Sequence, residues 1–238
     1  MEQVSKNMNF DNYKFRCSAL GKLTGEPKLK ADKEAGNLSQ TAKEHLNAIW
    51  IREKYGRYQD ITSKYMEKGN FNEQDSLGMY QNKVGGLLLK NDFEFENVWI
   101  KGTPDLVLED KVIDLKTSWD IWTYMKADVK DMYLWQLMGY MWLTNTKKAE
   151  LCYCLTDTPE HMIQDEIRKL GWKMPFVDQQ NDPDFLAAEA QIRKNMTFGD
   201  IPESDRIKIY GFGFDESLIE TLKLKILKSR EYLNGLSL

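Results

Sequence analysis

Two aspartates and a lysine lie on either side of a short predicted turn. Asp105 precedes this turn, and Asp114 and Lys116 follow it. If Glu109 and Asp110 form a two-residue hairpin loop, Asp105 lies directly opposite Asp114. A loop shifted by one residue places Asp105 opposite Lys116, whereas a three-residue loop would give neither arrangement. Because side chains alternate along a strand, either two-residue loop puts all three side chains on one face.

Paired carboxylates of this kind need a neighbouring cation. Across a strand pair they lie roughly 4.5–5.5 Å apart at Cβ, and like charges at that distance destabilise the pair. Lys116 supplies one positive charge, and Mg²⁺ is typically held by one or two carboxylates, waters and a substrate phosphate. Metal-assisted phosphodiester hydrolysis is one interpretation, in which the lysine positions or deprotonates the attacking water or stabilises the transition state. The other is a hairpin end with solvated charges.

Polar residues also interrupt two predicted apolar helix faces. Glu73 precedes Leu77 and Tyr80 at helical spacing, which puts a carboxylate on an apolar stripe and requires a partner for it. Gln136 and Tyr140 lie one turn apart in the run MYLWQLMGYMWL. Taken alone, each helix fits a functional site and a structural hydrogen bond equally well.

Hydrophobic periodicity and capping signals predict the elements that position these residues. We predict helices over residues 41–55, 69–82 and 129–143, from near Pro159, from Asp182, and over 216–233, with strands within 93–118, at 150–155 and at 205–214. Residues 21–37 contain several lysines and glycines and predict a long mobile loop. The order predicts an α/β fold and a single domain over residues 1–238.

The composition excludes several other classes of protein. A formal net charge of −4 gives no overall basic excess, so any contact with nucleic acid must be local. Three cysteines without a CxxC pair argue against a disulfide framework and a four-thiolate metal site, and they indicate a reducing cytoplasm. The N-terminus shows no apolar leader and no stretch of about 18 apolar residues occurs, so we expect neither secretion nor a membrane span.

The residues that carry chemistry also form an ordered series of motifs. In chain order they are Glu73, Gly102-Thr103-Pro104-Asp105, Asp114-Leu115-Lys116 and Gln136-x-x-x-Tyr140. The series resembles that of the PD-(D/E)xK nuclease superfamily, in its RecB-like and lambda-exonuclease-like branch of YqaJ-type viral recombinases. The resemblance implies a restriction-endonuclease-like core, in which a central mixed β-sheet is flanked by helices. It also implies a DNA exonuclease that degrades linear double-stranded DNA from an end, 5′ to 3′, in phage-type recombination.

This resemblance assigns roles to individual residues. The implied ligands of one or two Mg²⁺ or Mn²⁺ ions are Glu73, Asp105, Asp114 and the carbonyl of Leu115. Lys116 matches the catalytic lysine, and Gln136 and Tyr140 match a motif that supports the site and contacts DNA near the scissile phosphate. Asp114 stands where many relatives have glutamate. The four cysteines that hold an iron–sulfur cluster in some RecB-like exonucleases are absent, so we expect no cluster.

Two further segments are candidates for contact with DNA. Arg16 and Ser18 occupy the place where phage exonucleases bind a DNA 5′-phosphate, although an ordinary solvated edge fits them as well. For Trp119, Trp122 and Tyr124, packing beside the site is favoured over stacking on unpaired bases.

The same residues leave two other functions open. A structure-specific endonuclease would share the chemistry, and a non-catalytic DNA-binding module of a recombination complex would share the fold. The resemblance further implies a homo-oligomeric ring, a trimer, around DNA and a single-strand annealing protein as partner. For a phage-encoded protein it implies the cytoplasm of the bacterial host.

Overall fold

The computed structural model describes residues 8–59, 63–175, 178–179 and 181–237. Residues 1–7, on which the expectation of no apolar leader partly depends, lie outside the described residues. The strands are β1 (Phe15–Arg16), β2 (Phe95–Glu96), β3 (Ile100–Gly102), β4 (Leu106–Val107), β5 (Lys111–Thr117), β6 (Lys148–Cys154) and β7 (Ile207–Gly213). The α-helices are α1 (Leu20–Thr24), α2 (Lys30–Glu34), α3 (Gln40–Tyr55), α4 (Lys64–Phe71), α5 (Glu73–Val84), α6 (Ile121–Met125), α7 (Asp131–Thr144), α8 (Glu160–Lys173), α9 (Pro183–Met196) and α10 (Glu216–Asn234).

The strands form two sheets. The larger has the order β4-β5-β6-β7, in which β5 and β6 are parallel and the outer pairs are antiparallel. The smaller has the order β1-β3-β2. The predicted α/β fold with a mixed sheet flanked by helices is confirmed, and the strand-rich segment 93–118 is divided between the two sheets.

Helices cover both faces of the larger sheet. Val112 of β5 belongs to the core that α7 helps to form, whereas its neighbour Ile113 packs in a second cluster with Leu77 and Tyr80 of α5. This alternation follows from the two-residue period of a strand. Asp114 therefore lies on the α7 face of β5, with Val112. None of the helices within the described ranges is long and apolar enough to cross a membrane.

The prediction of one long loop over residues 21–37 is wrong. The helices α1 and α2 occupy parts of it, and Leu20 and Leu23 of α1 are fully buried. Gly21 permits α1 to approach α7 closely, because a Cβ there would lie 2.5 Å from Cα of Met132. Burial of these two leucines therefore outweighs the loop-forming composition of this segment.

The predicted helix over residues 69–82 is two helices that meet at Asn72. Its buried amide donates to Oγ1 of Thr156 at 2.8 Å, which fixes the junction against the segment that follows β6. As a result, Glu73 begins α5 rather than lying inside a longer helix. The other predicted helices appear with small shifts at their ends, and α3 is capped by Ser39, whose hydroxyl accepts from the N–H of Ala42 at 3.2 Å.

Candidate active site

The hairpin that carries the acidic residues has the first of the two predicted registers. Leu106 pairs with Ile113, and the N–H of Leu108 donates to the carbonyl of Lys111 at 2.8 Å. The loop therefore consists of Glu109 and Asp110, as predicted. One step further along the ladder, Asp105 lies opposite Asp114.

Asp114 is buried at the centre of the site, with 2% of its surface exposed. Its Oδ1 accepts a hydrogen bond from Nε2 of Gln136 at 2.9 Å. Its Oδ2 lies 2.6 Å from Nζ of Lys116, in a charge-assisted contact, and has no other polar partner among the described residues. A buried carboxylate oxygen with only an ammonium beside it has lone pairs to offer to a metal ion or a water.

The repulsion between the two carboxylates acts on the pKa of Asp105. Burial, and after it the charge of Asp114, raises the pKa of Asp105 to about 7, against the opposing effects of the Leu115 N–H and Lys116. Glu73 adds to the rise. The N–H of Leu115 donates to Oδ2 of Asp105 at 2.6 Å and holds this carboxylate against β5. The site therefore favours an added positive charge, as the sequence predicts.

Lys116 remains a cation in this setting. Burial lowers its pKa, but Asp114 and Asp105 together outweigh burial, so that the pKa is raised. The ammonium also lies 5.1 Å from the ring centroid of Tyr133. Lys116 is thus arranged to stabilise negative charge next to Asp114.

Glu73 reaches the site from the start of α5, and its side chain is 35% exposed. It lies at the rim of the apolar face that holds Leu77 and Tyr80, rather than buried within that face. The partner that its position requires is Lys90, whose Nζ lies 2.7 Å from Oε2 of Glu73. Glu73 is therefore close enough to influence Asp105 but is ion-paired elsewhere.

Gln136 and Tyr140 converge on Asp114 from α7. Nε2 of Gln136 donates both to Asp114 and to the hydroxyl of Tyr140, at 2.9 Å in each case. Both residues are almost fully buried. Burial, followed by the charge of Asp114, raises the pKa of Tyr140, which keeps its hydroxyl protonated. The pair is thus a hydrogen-bonded support that ends on an acidic residue of the site.

Arg16 and Ser18 lie next to the strand that leads into Asp105. Arg16 pairs with Lys101 between β1 and β3, and Cys17 packs against Gly102. The side chains of Arg16 and Ser18 are exposed and form no hydrogen bond or ion pair with any residue that the structure describes. They are free to contact a ligand near the site.

Two residues of the site are missing from the sequence predictions. Lys90 neutralises Glu73, and Asn91 fixes the backbone beside Asp105. The N–H of Asn91 donates to the carbonyl of Asp105 at 2.8 Å, and its side-chain amide donates to the carbonyl of Pro104 at 2.9 Å. Both belong to the irregular segment between α5 and β2, where no periodicity indicates which side chains turn inward.

The donor set fits a hard divalent cation in part. Asp105 and Asp114 present mutually repelling carboxylates, and Oδ2 of Asp114 has only the Lys116 ammonium as a partner among the described residues. Among the described residues, however, no three acidic, histidine or cysteine side chains surround one point. The predicted third ligand, Glu73, is held by Lys90.

A mixed sheet with opposed aspartates and a lysine at its centre is the arrangement that the resemblance to PD-(D/E)xK nucleases implies. Solved structures confirm the resemblance to lambda-exonuclease-like nucleases. A phage-related exonuclease from Haemophilus somnus 129PT is 29% identical, with a TM-score of 0.74 over 94% of each chain. An alkaline exonuclease from Laribacter hongkongensis shares the fold at 11% identity, with a TM-score of 0.61 over 94% of this chain and 89% of that one. The same exonuclease in complex with dAMP gives a TM-score of 0.62.

Comparison by sequence alone finds less. No protein-family model matches the chain, and no curated protein matches it. The likeness is therefore one of fold, with 29% sequence identity to the phage-related exonuclease.

Proposed function

We propose that the protein is a metal-dependent exonuclease that hydrolyses the phosphodiester bonds of linear double-stranded DNA from an end. The observation that carries the proposal is the contact set of Asp114, which meets Lys116, Gln136 and, across the hairpin, Asp105. This set lies in a fold shared over nearly its whole length with a phage-related exonuclease.

The carboxylates of Asp105 and Asp114 would hold one or two Mg²⁺ or Mn²⁺ ions, together with the carbonyl of Leu115. Glu73 would join them once it separates from Lys90. When bound, such an ion lowers the pKa of the attacking water and neutralises charge on the phosphate. Asp105 and Asp114 fit this role, because a cation relieves the repulsion that raises the pKa of Asp105.

Lys116 would act next to the reacting phosphate. Because Asp114 and Asp105 favour its charged form, the ammonium stabilises the negative charge that develops on the phosphoryl oxygens. A role as general base requires the loss of this proton, which the same two carboxylates oppose. Electrostatic stabilisation is therefore the role that the site favours. Gln136 keeps Asp114 in place, and Tyr140 supports Gln136.

The substrate would be DNA, and four residues would contact it. Arg16 and Ser18 would bind the 5′-phosphate of the strand that is degraded, which gives 5′ to 3′ polarity. Gln136 and Tyr140 would lie near the scissile phosphate. A ring of identical subunits around DNA would reconcile a net charge of −4 with a locally basic channel. The protein would act in phage-type recombination together with a single-strand annealing protein, in the cytoplasm of a bacterial host.

The test is digestion of linear double-stranded DNA labelled at the 5′ end, with Mg²⁺ or Mn²⁺. Wild type should release labelled nucleotide first, whereas Lys116→Ala and Asp105→Ala should release little. Lys83→Ala and Asp75→Ala, at exposed positions of α5, are matched controls that should retain activity. Intact DNA with both metals would contradict the proposal. Nicking of circular DNA at a similar rate would instead indicate an endonuclease.

A further inference from the structure

A cleft opens beside Lys116. Its volume is about 680 Å³, within the range typical of small-molecule sites. The residues that matter for its chemistry are Tyr65, Trp119, Trp122, Tyr133, Lys126 and Lys130. Because Lys116 lines the same cleft, a ligand bound there would lie next to the proposed reaction centre.

The aromatic residues of the cleft differ in how far they are already engaged. Trp119 packs edge-on against Tyr65, with ring centroids 5.3 Å apart, and Nζ of Lys64 lies 4.5 Å from its ring centroid. Trp122 is 55% exposed and has no aromatic or cation contact within the described ranges. Its indole face is therefore available for stacking.

Tyr124 and Trp122 lie on the same short helix but differ in how far their side chains are buried. Tyr124 lies two residues further along α6, is 3% exposed, and has Nζ of Lys208 at 4.6 Å from its ring centroid. The predicted packing role thus holds for Tyr124. It does not hold for Trp122, which lies on the same short helix, lines the cleft and is 55% exposed.

The charges of the cleft favour a polyanion. Lys126 and Lys130 are exposed and form no ion pair with any described residue. The acidic side chain among the lining residues is Asp120, which caps α6 by accepting from the N–H of Thr123 at 2.7 Å. Lys116 is already paired with Asp114, so the two unpaired ammonium groups of Lys126 and Lys130 face the one carboxylate of Asp120, on a chain whose net charge is −4.

We propose that this cleft binds an unpaired nucleotide of the DNA strand next to the scissile phosphate. The base stacks on Trp122, and the flanking phosphates lie near Lys126 and Lys130. The inference depends on the proposed nuclease function for its placement beside the reaction centre.

Binding of a short single strand tests the stacking. The probe is a fluorescein-labelled, 5′-phosphorylated dT8, measured by anisotropy with EDTA present to prevent hydrolysis. Trp122→Ala should weaken binding about tenfold, within the range for loss of one base–aromatic stack. Trp122→Phe, which keeps a ring, should lose less. Trp172→Ala is the matched control, because Trp172 is 70% exposed on α8 and does not line the cleft.

An abasic version of the probe separates stacking from a change in shape. If Trp122 stacks on a base, wild type should bind the fully abasic strand about as weakly as Trp122→Ala does, and the substitution should cost nothing more. An equal loss for both probes would overturn the stacking role. Circular dichroism of Trp122→Ala should match wild type, since this ring contributes little to the core.

Salt dependence tests the two lysines. Lys126→Gln together with Lys130→Gln should reduce the slope of log affinity against log salt by about 1.4, since each phosphate contact to a single strand contributes about 0.7. The double variant of Lys83 and Lys173, both exposed and outside the cleft, should leave the slope unchanged. An unchanged slope for the first pair would overturn their role.

The nuclease assay keeps this inference distinct from the proposed function. If wild type digests linear DNA but Trp122→Ala binds dT8 as wild type does, the cleft proposal fails and the nuclease proposal stands. If wild type shows no nuclease activity but Trp122→Ala and the abasic probe both weaken binding, the cleft is a nucleotide site and the proposed function fails.

Discussion

The side-chain amide of Gln136 donates to Oδ1 of Asp114 at 2.9 Å, across the interface between α7 and β5. Both residues are almost fully buried, so this bond joins an otherwise hydrophobic helix to the acidic centre of the site. The other carboxylate oxygen of Asp114 contacts Lys116. The orientation of the carboxylate is therefore set by one neutral donor and one cation.

Replacing Gln136 should reduce both stability and activity. Gln136→Ala leaves Oδ1 of Asp114 buried without a donor, which should cost about 1–3 kcal/mol in the free energy of unfolding. Nuclease activity should fall at least about tenfold, because the carboxylate loses its fixed orientation. Urea denaturation and DNA digestion measure the two effects. Tyr140→Phe is the control, since it preserves the bond between Gln136 and Asp114, and it should lose less of both.

Asp105→Asn should increase the free energy of unfolding but abolish nuclease activity. Burial and Asp114 raise the pKa of Asp105 to about 7, so the folded protein disfavours its ionised form. Metal-free wild type therefore loses stability as pH rises from about 4 through about 7. The variant, which cannot ionise, should be more stable than wild type at pH 8, by on the order of 2 kcal/mol. It should nevertheless show no nuclease activity.

Thermal melts in EDTA and in Mn²⁺ measure this separation. Mn²⁺ should raise the Tm of wild type, because a ligand that binds the folded state stabilises it, and should raise that of Asp105→Asn much less. Asp75→Asn, at an exposed position of α5, should follow wild type in both conditions. A variant less stable than wild type in EDTA at pH 8 would show that the repulsion between Asp105 and Asp114 is not a significant cost.

Lys90 should compete with metal for Glu73. Its Nζ lies 2.7 Å from Oε2 of Glu73, so Lys90→Gln removes a cation from that carboxylate. If Glu73 is a metal ligand, Mn²⁺ should bind the variant several-fold more tightly, as titration calorimetry can measure. Lys83→Gln is the control, because it removes an exposed lysine of α5 without touching Glu73. Equal Mn²⁺ affinity in all three proteins would exclude Glu73 from the ligand set.

The parts of this site that could be predicted are the local ones. The register of Asp105 against Asp114 follows from a two-residue loop, and the pairing of Gln136 with Tyr140 follows from one helical turn. Lys90 was missed because its contact depends on the path of an irregular segment, which periodicity does not specify.

The wrong or incomplete predictions have tertiary causes. The buried amide of Asn72 ends one helix and starts another through a contact with Thr156, 84 residues away in sequence. Similarly, α1 packs against α7 with Leu20 and Leu23 fully buried, in a segment whose composition is typical of a loop. In both places contacts between residues far apart in sequence outweigh local propensity. A short stretch of sequence does not reveal such contacts.

His45 should make stability depend on pH below neutrality. Burial, followed by the charges of Lys22 and Arg52, lowers the pKa of His45 to about 4. As pH falls from about 6.5 toward 4, His45 binds a proton in the unfolded chain but not in the folded protein. The free energy of unfolding therefore decreases over this range. Relative to His45→Gln, wild type should lose roughly 1–3 kcal/mol over this range in urea denaturation.

Gly102 should tolerate no side chain. A Cβ at this position would lie 2.8 Å from Cε1 of Tyr140 and 2.9 Å from Sγ of Cys17, so Gly102→Ala must displace the ring that supports Gln136. We expect a loss of about 1–3 kcal/mol in the free energy of unfolding. Activity should fall as well, because the movement is passed through Gln136 to the acidic centre.

Gly78→Ala is the matched control for this substitution. Gly78 lies inside α5, and a Cβ there would meet no atom within 4 Å, so alanine should raise stability by up to about 1 kcal/mol through its helix propensity. Chemical denaturation of the two variants should therefore move in opposite directions. If Gly102→Ala unfolded at the same urea concentration as wild type, β3 would have room to shift. The close packing of Tyr140 against Gly102 would then not be needed to hold the site.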